Sequence, residues 1–145
     1  KRYICKRKNN PKNYYNKQMK KIINTAMAPA PIGPYNQAIL TGNMLFISGQ
    51  IALVPGTANL ANEDIATETN QVLKNLKAIL TEAGMGFDNV VKTSIFLSDM
   101  SLFTQVNDAY GSYFSEEAGY PARETVAVKG LPKNVNVEIS MIALK

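Results

Sequence analysis

The stretch "VNVEISMIAL" (135–144) decides the fold, because its apolar residues alternate with its remaining residues over most of its length. One set of alternate positions is entirely apolar and the other is mixed: Val135, Val137, Ile139 and Met141 against Asn136, Glu138, Ser140 and Ile142. Successive side chains of a β-strand point to opposite faces of the sheet. The stretch therefore predicts a strand with one face in an apolar core.

Two helical segments precede this strand. The first is predicted from Asn62 to a stop at Gly84, because its apolar residues recur at helical spacing. Those residues form one wide face: Ile65, Val72, Leu73, Leu76, Ile79, Leu80 and Ala83. The second is predicted over 101–114 with its own apolar face: Phe103, Val106, Tyr110, Tyr113 and Phe114. Helices with one apolar face need a sheet or another helix to cover it.

Four further strand signals complete the pattern. A hairpin is predicted over 38–51 around Thr41-Gly42-Asn43, and β-branched runs predict strands over 89–99 and around 124–129. With the last strand the order is β-β-α-β-α-β-β. This order predicts an α+β two-layer sandwich, a mixed sheet with two helices on one face. We expect part of the apolar area of the other face to meet another subunit.

Charge is distributed unevenly along the chain. Residues 1–21 hold nine of the sixteen basic residues and no acid, whereas residues 22–145 hold seven basic residues and all eleven acids, a balance of 7 − 11 = −4. Residues 1–18 are therefore interpreted as a disordered basic extension, with translation from upstream of a natural start at Met19 as one origin. Residues 19–145 are expected to form a single domain.

The sequence lacks the residues of several common active sites. It contains no histidine, and its single cysteine, Cys5, lies in the extension. A histidine-based triad, a thiol nucleophile and a His/Cys metal site are excluded for residues 19–145. No glycine-rich nucleotide motif occurs, so no cofactor is expected. The scarcity of cysteine and the lack of an apolar run of about 20 residues predict a cytoplasmic protein without a membrane span.

Arg123, in "YPARETVAV" (120–128), is the only arginine beyond residue 7. Its planar guanidinium matches a carboxylate through two parallel hydrogen bonds, which lysine cannot reproduce. Two partners of Arg123 stay open: the carboxylate of a bound substrate, and Glu138 in a structural ion pair. Glu138 is itself either an ordinary glutamate on the polar side of a strand or a general acid/base that orients a water.

The motifs of the chain resemble those of the YjgF/RidA family of reactive-intermediate deaminases. The resemblance is carried by "GPYNQA" (33–38), "FISGQI" (46–51), "KTSIFLSDMSLFTQVNDAYGSYF" (92–114), "YPARETVAV" (120–128) and "LPKNVNVEISMIAL" (131–144). It implies a chorismate-mutase-like fold and a homotrimer with active sites between subunits. It also implies a cofactor-free hydrolase of the 2-iminobutanoate/2-iminopropanoate deaminase type. The implied substrates are small carboxylate-bearing enamines and imines such as 2-aminoacrylate.

The same resemblance assigns site residues position by position. Arg123 would bind the substrate carboxylate and Glu138 would act on the water. Six further positions would line the substrate site: Tyr35, Ser48, Gly49, Phe87, Asn107 and Thr125. Gly49 would let the backbone approach a ligand closely. Packing in the core is the alternative for Phe87, and an exposed polar position on a helix is the alternative for Asn107. Many family members have cysteine where this chain has Thr125, so thiol-based switching is not expected here.

Two other classes of function stay open at this point. Some relatives are described as ribonucleases that inhibit translation, and others as chaperone-like or ligand-binding modules. RNA cleavage calls for a basic groove with aromatic platforms, and residues 22–145 are acidic overall and lack histidine. Nucleic acid is therefore not an expected partner of the domain, and any RNA binding is expected to map to residues 1–21.

Overall fold

The computed structural model describes residues 20–145, so the predictions for the extension at residues 1–18 lie outside the described residues. Six strands form one sheet: β1 (Lys21–Ile23), β2 (Ala38–Thr41), β3 (Met44–Gln50), β4 (Val90–Leu97), β5 (Ala122–Ala127) and β6 (Val137–Leu144). Two α-helices pack on it: α1 (Ile65–Glu82) and α2 (Phe103–Gly111). Neither helix is long and apolar enough to cross a membrane.

The last strand of the chain lies inside the sheet. The strand order is β1-β2-β3-β6-β4-β5, and every neighbouring pair is antiparallel except β4 and β5. Val137, Ile139 and Met141 of β6 are buried, as their alternation predicts. The α+β two-layer sandwich is confirmed, because both helices cover the side of the sheet to which these residues point.

Helix α1 begins and ends close to the predicted positions. Asp64 is the N-cap, and its side chain accepts a hydrogen bond of 2.7 Å from the Thr67 N–H. A carboxylate at this position satisfies an N–H that has no partner within the helix. The chain turns at Gly84 with φ of +70°, which favours glycine. All seven residues predicted for its apolar face are buried.

Helix α2 is shorter than the predicted helix over 101–114. A 3₁₀ turn covers Met100–Leu102, and the α-helix stops at Gly111. The N–H groups of Tyr113 and Phe114 then reach back three residues rather than four, to Tyr110 and Gly111. Glycine is a weak helix former, so the α-helix ends at Gly111, and Tyr113 and Phe114 of the predicted apolar face lie beyond it.

Two strands differ from their predictions. The short strand β1 at the edge of the sheet was not expected, because its three residues begin with a lysine and are too few for a period-2 pattern. Strand β5 begins at Ala122 rather than near 124, so that Arg123 lies within the sheet.

The two faces of the sheet have different characters. We call the side covered by α1 and α2 the helix face, and the opposite side the open face. Buried side chains of β4 and β6 point to the helix face. The open face carries Phe46 with 41% of its side chain exposed, together with its register partner Ile142. An exposed apolar sheet face of this kind is typical of a contact surface.

Candidate functional site

Arg123 lies on the helix face at the edge of the sheet. It pairs in register with Thr93 of the parallel strand β4, and Thr93 is fully buried beneath the helices. The half-buried Arg123 side chain borders an open cavity of about 440 Å³. We call this the Arg123 cavity; its lining residues come from α2 and from the approach to β5: Asn107, Tyr110, Gly111, Tyr120, Pro121 and Arg123.

The neighbours of the guanidinium are aromatic rings. Its Cζ atom lies 5.0 Å from the centroid of the Tyr110 ring and 5.9 Å from that of Phe103. Within residues 20–145 the one ion pair joins Lys92 and Glu124, so Arg123 has no carboxylate partner there. The alternative of a structural ion pair between Arg123 and Glu138 within one chain is therefore wrong.

Thr125 lies beside Arg123 on the same face. Its hydroxyl is the one buried side-chain polar atom in the described part of the chain that has no hydrogen-bond partner. The N–H of Val128 donates to Leu97 of β4. Because N–H directions alternate along a strand, the N–H and C=O of Thr125 point away from β4, to the free edge of the sheet. These groups can hold a ligand or a water.

Glu138 lies on the open face. It pairs in register with Phe96 of β4, whose neighbours Ile95 and Leu97 point to the helix face. A second cavity, of about 280 Å³, adjoins its carboxylate. We call this the Glu138 cavity; its other lining residues come mainly from the end of β3 and from the loop before β2: Ile32, Tyr35, Ser48, Gly49, Ile51 and Pro132. Burial raises the pKa of the Glu138 carboxyl above its ordinary value.

Gly49 provides the space that the Glu138 side chain occupies. The pairing of β3 with β6 shifts register between Ile47 and Gln50, so this stretch departs from regular pleating. A Cβ atom at position 49 would lie 2.8 Å from Cδ of Glu138, and closer still to its Oε1 atom. Glycine was expected to let a ligand approach the backbone, and in the structure it admits the carboxylate.

Two side chains hold the loop that carries Tyr35. The hydroxyl of Ser48 donates to the carbonyl of Asn36 at 2.7 Å. Gln37 is buried, accepts from the Thr25 N–H at 2.7 Å, and donates to the carbonyl of Pro29 at 2.8 Å. Sequence reasoning missed Gln37, because its only signal is an amide within the motif "GPYNQA".

Glu68 is a second residue that sequence reasoning missed. Its carboxylate is fully buried on α1 and accepts hydrogen bonds from the backbone N–H groups of Asn136 and Val137, at 2.6 and 3.1 Å. It also accepts from the Asn136 side-chain amide at 2.9 Å. These bonds tie α1 to the residues that directly precede Glu138.

The predicted site residues thus fall into two groups and one outlier. Arg123, Thr125 and Asn107 lie on the helix-face side, at or beside the Arg123 cavity. A second group borders the Glu138 cavity on the open face: Tyr35, Ser48, Gly49 and Glu138. Phe87 borders neither cavity, and its ring packs edge-on against Tyr113 and Phe114. A single chain therefore presents two separated halves of the predicted site.

The sequence matches the family model described as Endoribonuclease L-PSP over residues 25–145, which include both halves. The chain belongs to the YjgF/RidA family. A RutC family protein of Synechocystis is 54% identical over 125 residues, which are 86% of this chain and 95% of that protein. The 2-iminobutanoate/2-iminopropanoate deaminase of Homo sapiens is 42% identical over 127 residues, covering 88% of this chain and 91% of the human protein.

Solved structures of YjgF/RidA proteins have the same fold. The structure of Escherichia coli TdcF with bound serine is 40% identical, with a TM-score of 0.82 over 87% of this chain and 99% of that one. The Escherichia coli YjgF gene product is 44% identical, with a TM-score of 0.81 over 86% and 98% of the two chains. The family's members carry both deaminase and endoribonuclease names, so membership alone leaves the reaction of this member to be argued from its residues.

Proposed function

We propose that this protein hydrolyses small enamines and imines derived from amino acids, of the 2-aminoacrylate and 2-iminopropanoate type, to a 2-oxo acid and ammonia. The observation that carries the proposal is Arg123, whose guanidinium borders an open cavity and has no carboxylate partner within residues 20–145. A substrate carboxylate fits the free N–H donors of this group. The deaminases at 42–44% identity support the reaction class.

The complete site, on this proposal, is shared between two copies of the chain. Arg123 faces the helix side and Glu138 the open side, so the two side chains of one chain diverge. A second copy must bring its Glu138 cavity to the Arg123 cavity of the first. Such a contact joins two different surfaces, and contacts of this kind form a ring when the rotation between successive copies closes. The family resemblance favours a homotrimer as this ring, with three equivalent sites.

The reaction needs no group beyond these side chains, backbone and water. Arg123 binds the carboxylate, and the enamine tautomerises by gaining a proton on carbon and losing one from nitrogen. A water held by Glu138 and the backbone of Thr125 attacks the imine carbon, and Glu138 takes its proton while the C=N electron pair moves to nitrogen. The nitrogen, which carries one hydrogen in the imine, then gains two protons, one of them returned by Glu138, and leaves as ammonia with the C–N electron pair, while the hydroxyl of the carbinolamine loses its proton to give the 2-oxo acid.

On this proposal, positioning provides most of the rate gain. An imine is already electrophilic, so fixing its carboxylate and the attacking water provides the orientation that the uncatalysed reaction lacks. Burial shifts the pKa of Glu138 upwards, towards neutral pH. A general acid/base is most effective when its pKa lies near the pH at which the enzyme works.

The first test is a coupled assay in which serine or threonine dehydratase generates the unstable imine and ammonia release is followed. A charge-assisted contact contributes about 1.5–3 kcal/mol, so Arg123→Ala should lower kcat/KM about 10- to 150-fold. Glu138→Gln should lower kcat with a smaller change in KM. Lys129→Ala removes an exposed cation just beyond β5 and serves as the matched control. Equal acceleration by wild type and Arg123→Ala would refute the proposal.

The second test addresses the shared site. Arg123→Ala and Glu138→Gln subunits are each impaired in the proposed scheme, but unfolding and refolding them together in equal amounts creates mixed rings. A junction is the contact between two neighbouring subunits, where one site forms. It regains both Arg123 and Glu138 when a Glu138→Gln subunit supplies the arginine and an Arg123→Ala subunit supplies the glutamate. Random mixing gives this arrangement at about a quarter of junctions. Activity that stays at the level of the separate variants would place both groups of a working site in the same chain.

A further inference from the structure

The Arg123 guanidinium is held by aromatic faces rather than by an acid. Tyr110 and Phe103 of α2 are the rings nearest its Cζ atom, at 5.0 and 5.9 Å. The face of an aromatic ring attracts a cation, and the contact does not use the N–H groups, which lie in the guanidinium plane. A carboxylate partner would occupy those donors. Aromatic contact therefore fixes the cation and leaves its donors free for a ligand.

Burial and a hydrogen bond fix the position of Tyr110. The residue is only 3% exposed, and its hydroxyl donates to the hydroxyl of Thr93 at 3.1 Å. Thr93 is fully buried on β4 and is the register partner of Arg123 on β5. Burial raises the pKa of the Tyr110 phenol, so it remains a neutral donor. The hydrogen bond links α2 to the strand that lies beside Arg123.

We propose that Tyr110 is a positioning residue for Arg123, and that its hydrogen bond to Thr93 sets the height of the ring beneath the guanidinium. The functional consequence rests on the proposed carboxylate-binding role of Arg123. A displaced ring lets the flexible arginine side chain sample other rotamers, so that its donors no longer meet the carboxylate in one orientation. Displacement of the ring should therefore weaken substrate binding and raise KM, because the carboxylate contact is present in both ground and transition states.

Tyr113 offers a matched control three residues further along the chain. Its hydroxyl also donates to a side chain at 3.1 Å, but the acceptor is Asn70 of α1. Its ring packs against Phe87, with centroids 5.3 Å apart. Tyr113→Phe therefore removes the same kind of group from the same region without touching the surroundings of Arg123.

The first experiment reads the position of Arg123 without any substrate. The chain contains three arginines, Arg2, Arg7 and Arg123, so labelling with ¹⁵N-arginine gives three Nε–Hε signals. The signal that Arg123→Lys removes should be displaced upfield by the ring current of Tyr110. Tyr110→Leu should return it towards the other two signals, and Tyr113→Phe should leave it in place. An Arg123 signal that is unmoved in Tyr110→Leu would overturn the inference.

The second experiment measures ligand binding by calorimetry, with pyruvate as the carboxylate probe. Tyr110→Leu should raise Kd about tenfold or more, and its KM for the imine should rise more than its kcat falls. Tyr110→Phe, which keeps the ring and loses the bond to Thr93, should raise Kd about threefold. Tyr113→Phe should match wild type. A Kd for Tyr110→Phe equal to that of Tyr113→Phe would overturn the part assigned to Thr93.

The two experiments separate the failure of this inference from the failure of the proposed function. Wild-type protein that neither binds pyruvate nor accelerates ammonia release refutes the proposed function, while the arginine signal still decides whether Tyr110 positions Arg123. Should Tyr110→Leu fail to fold, Tyr110→Phe and Thr93→Val carry the test. An unchanged Arg123 signal and unchanged pyruvate binding in both would overturn the inference.

Discussion

Substitution of Gly49 by alanine should impair catalysis while leaving the fold almost unchanged. The added Cβ would lie 2.8 Å from Cδ of Glu138 and 3.1 Å from its Cγ, whereas non-bonded carbon atoms prefer about 3.5–4.0 Å. The Glu138 side chain must therefore move by about 1 Å. A displacement of this size at a reacting group costs about 10²-fold in rate. We expect kcat/KM for the imine to fall about 10²-fold.

The stability cost of the same change should be small. The atoms in conflict belong to the flexible end of one side chain, and Gly49 lies outside the left-handed backbone region that resists alanine. An off-rotamer glutamate costs about 0.5–1.5 kcal/mol. The reduced freedom of the unfolded chain offsets about 0.4–1 kcal/mol of this. Urea unfolding should therefore show a change within about 1 kcal/mol.

The control and the refuting result both follow from the geometry. Nothing lies within 4 Å of a Cβ built on Gly86, so Gly86→Ala should retain wild-type kcat/KM. In a Glu138→Gln background, Gly49→Ala should cost little further activity, because both changes act on one group. Wild-type activity in Gly49→Ala, or a further full 10²-fold loss in the double variant, would show that the position of Glu138 does not govern the reaction.

Three further predictions concern charged groups. Because burial raises the pKa of Glu138, the folded chain binds more protons than the unfolded chain between the two pKa values, and stability falls as pH rises through that window. Urea unfolding of Glu138→Gln should therefore give a higher stability than wild type at about pH 7 and an equal one at about pH 3.5, where both states are protonated. Glu68→Ala leaves three N–H donors without their acceptor, at about 1–3 kcal/mol each, so its unfolding free energy should fall by at least about 3 kcal/mol while the exposed Glu82→Ala changes it by less than about 0.5 kcal/mol. Glu124→Gln should leave the KM of the coupled assay unchanged, because Glu124 bonds to Lys92 on the face opposite to Arg123, and a KM shift as large as that of Arg123→Ala would contradict this arrangement.

The layers of the fold could be predicted from the sequence, because the buried residues of each strand and helix recur with the period of that element. Val137, Ile139 and Met141 repeat every second residue, and the buried residues of α1 repeat at helical spacing. The edge strand β1 could not be predicted, since three residues carry no recognisable period. The parallel pairing of β4 with β5 also has no local signal, because it depends on how α2 returns the chain.

Motifs in the sequence predicted residues of the candidate site but not how the fold arranges them. Motifs pointed to Arg123 and Glu138, yet their placement on opposite faces depends on the register of two different strand pairs. The supporting contacts of Glu68 join residues 68 positions apart, and a buried glutamate within a helix resembles an exposed one in sequence. Tyr110 fits an apolar helix face, and its hydrogen bond to Thr93 emerges only when α2 lies on β4.

The proposed division of the site between two chains has an energetic rationale. An arginine and a glutamate that met within one chain would bond to each other, and the resulting ion pair would use the donors that a substrate carboxylate needs. Placed on opposite faces, Arg123 retains free donors beside Tyr110, and Glu138 retains a raised pKa in its own cavity. If the two cavities meet only on assembly, the substrate enters between groups already held by separate chains. Catalysis would then depend on the contact between subunits.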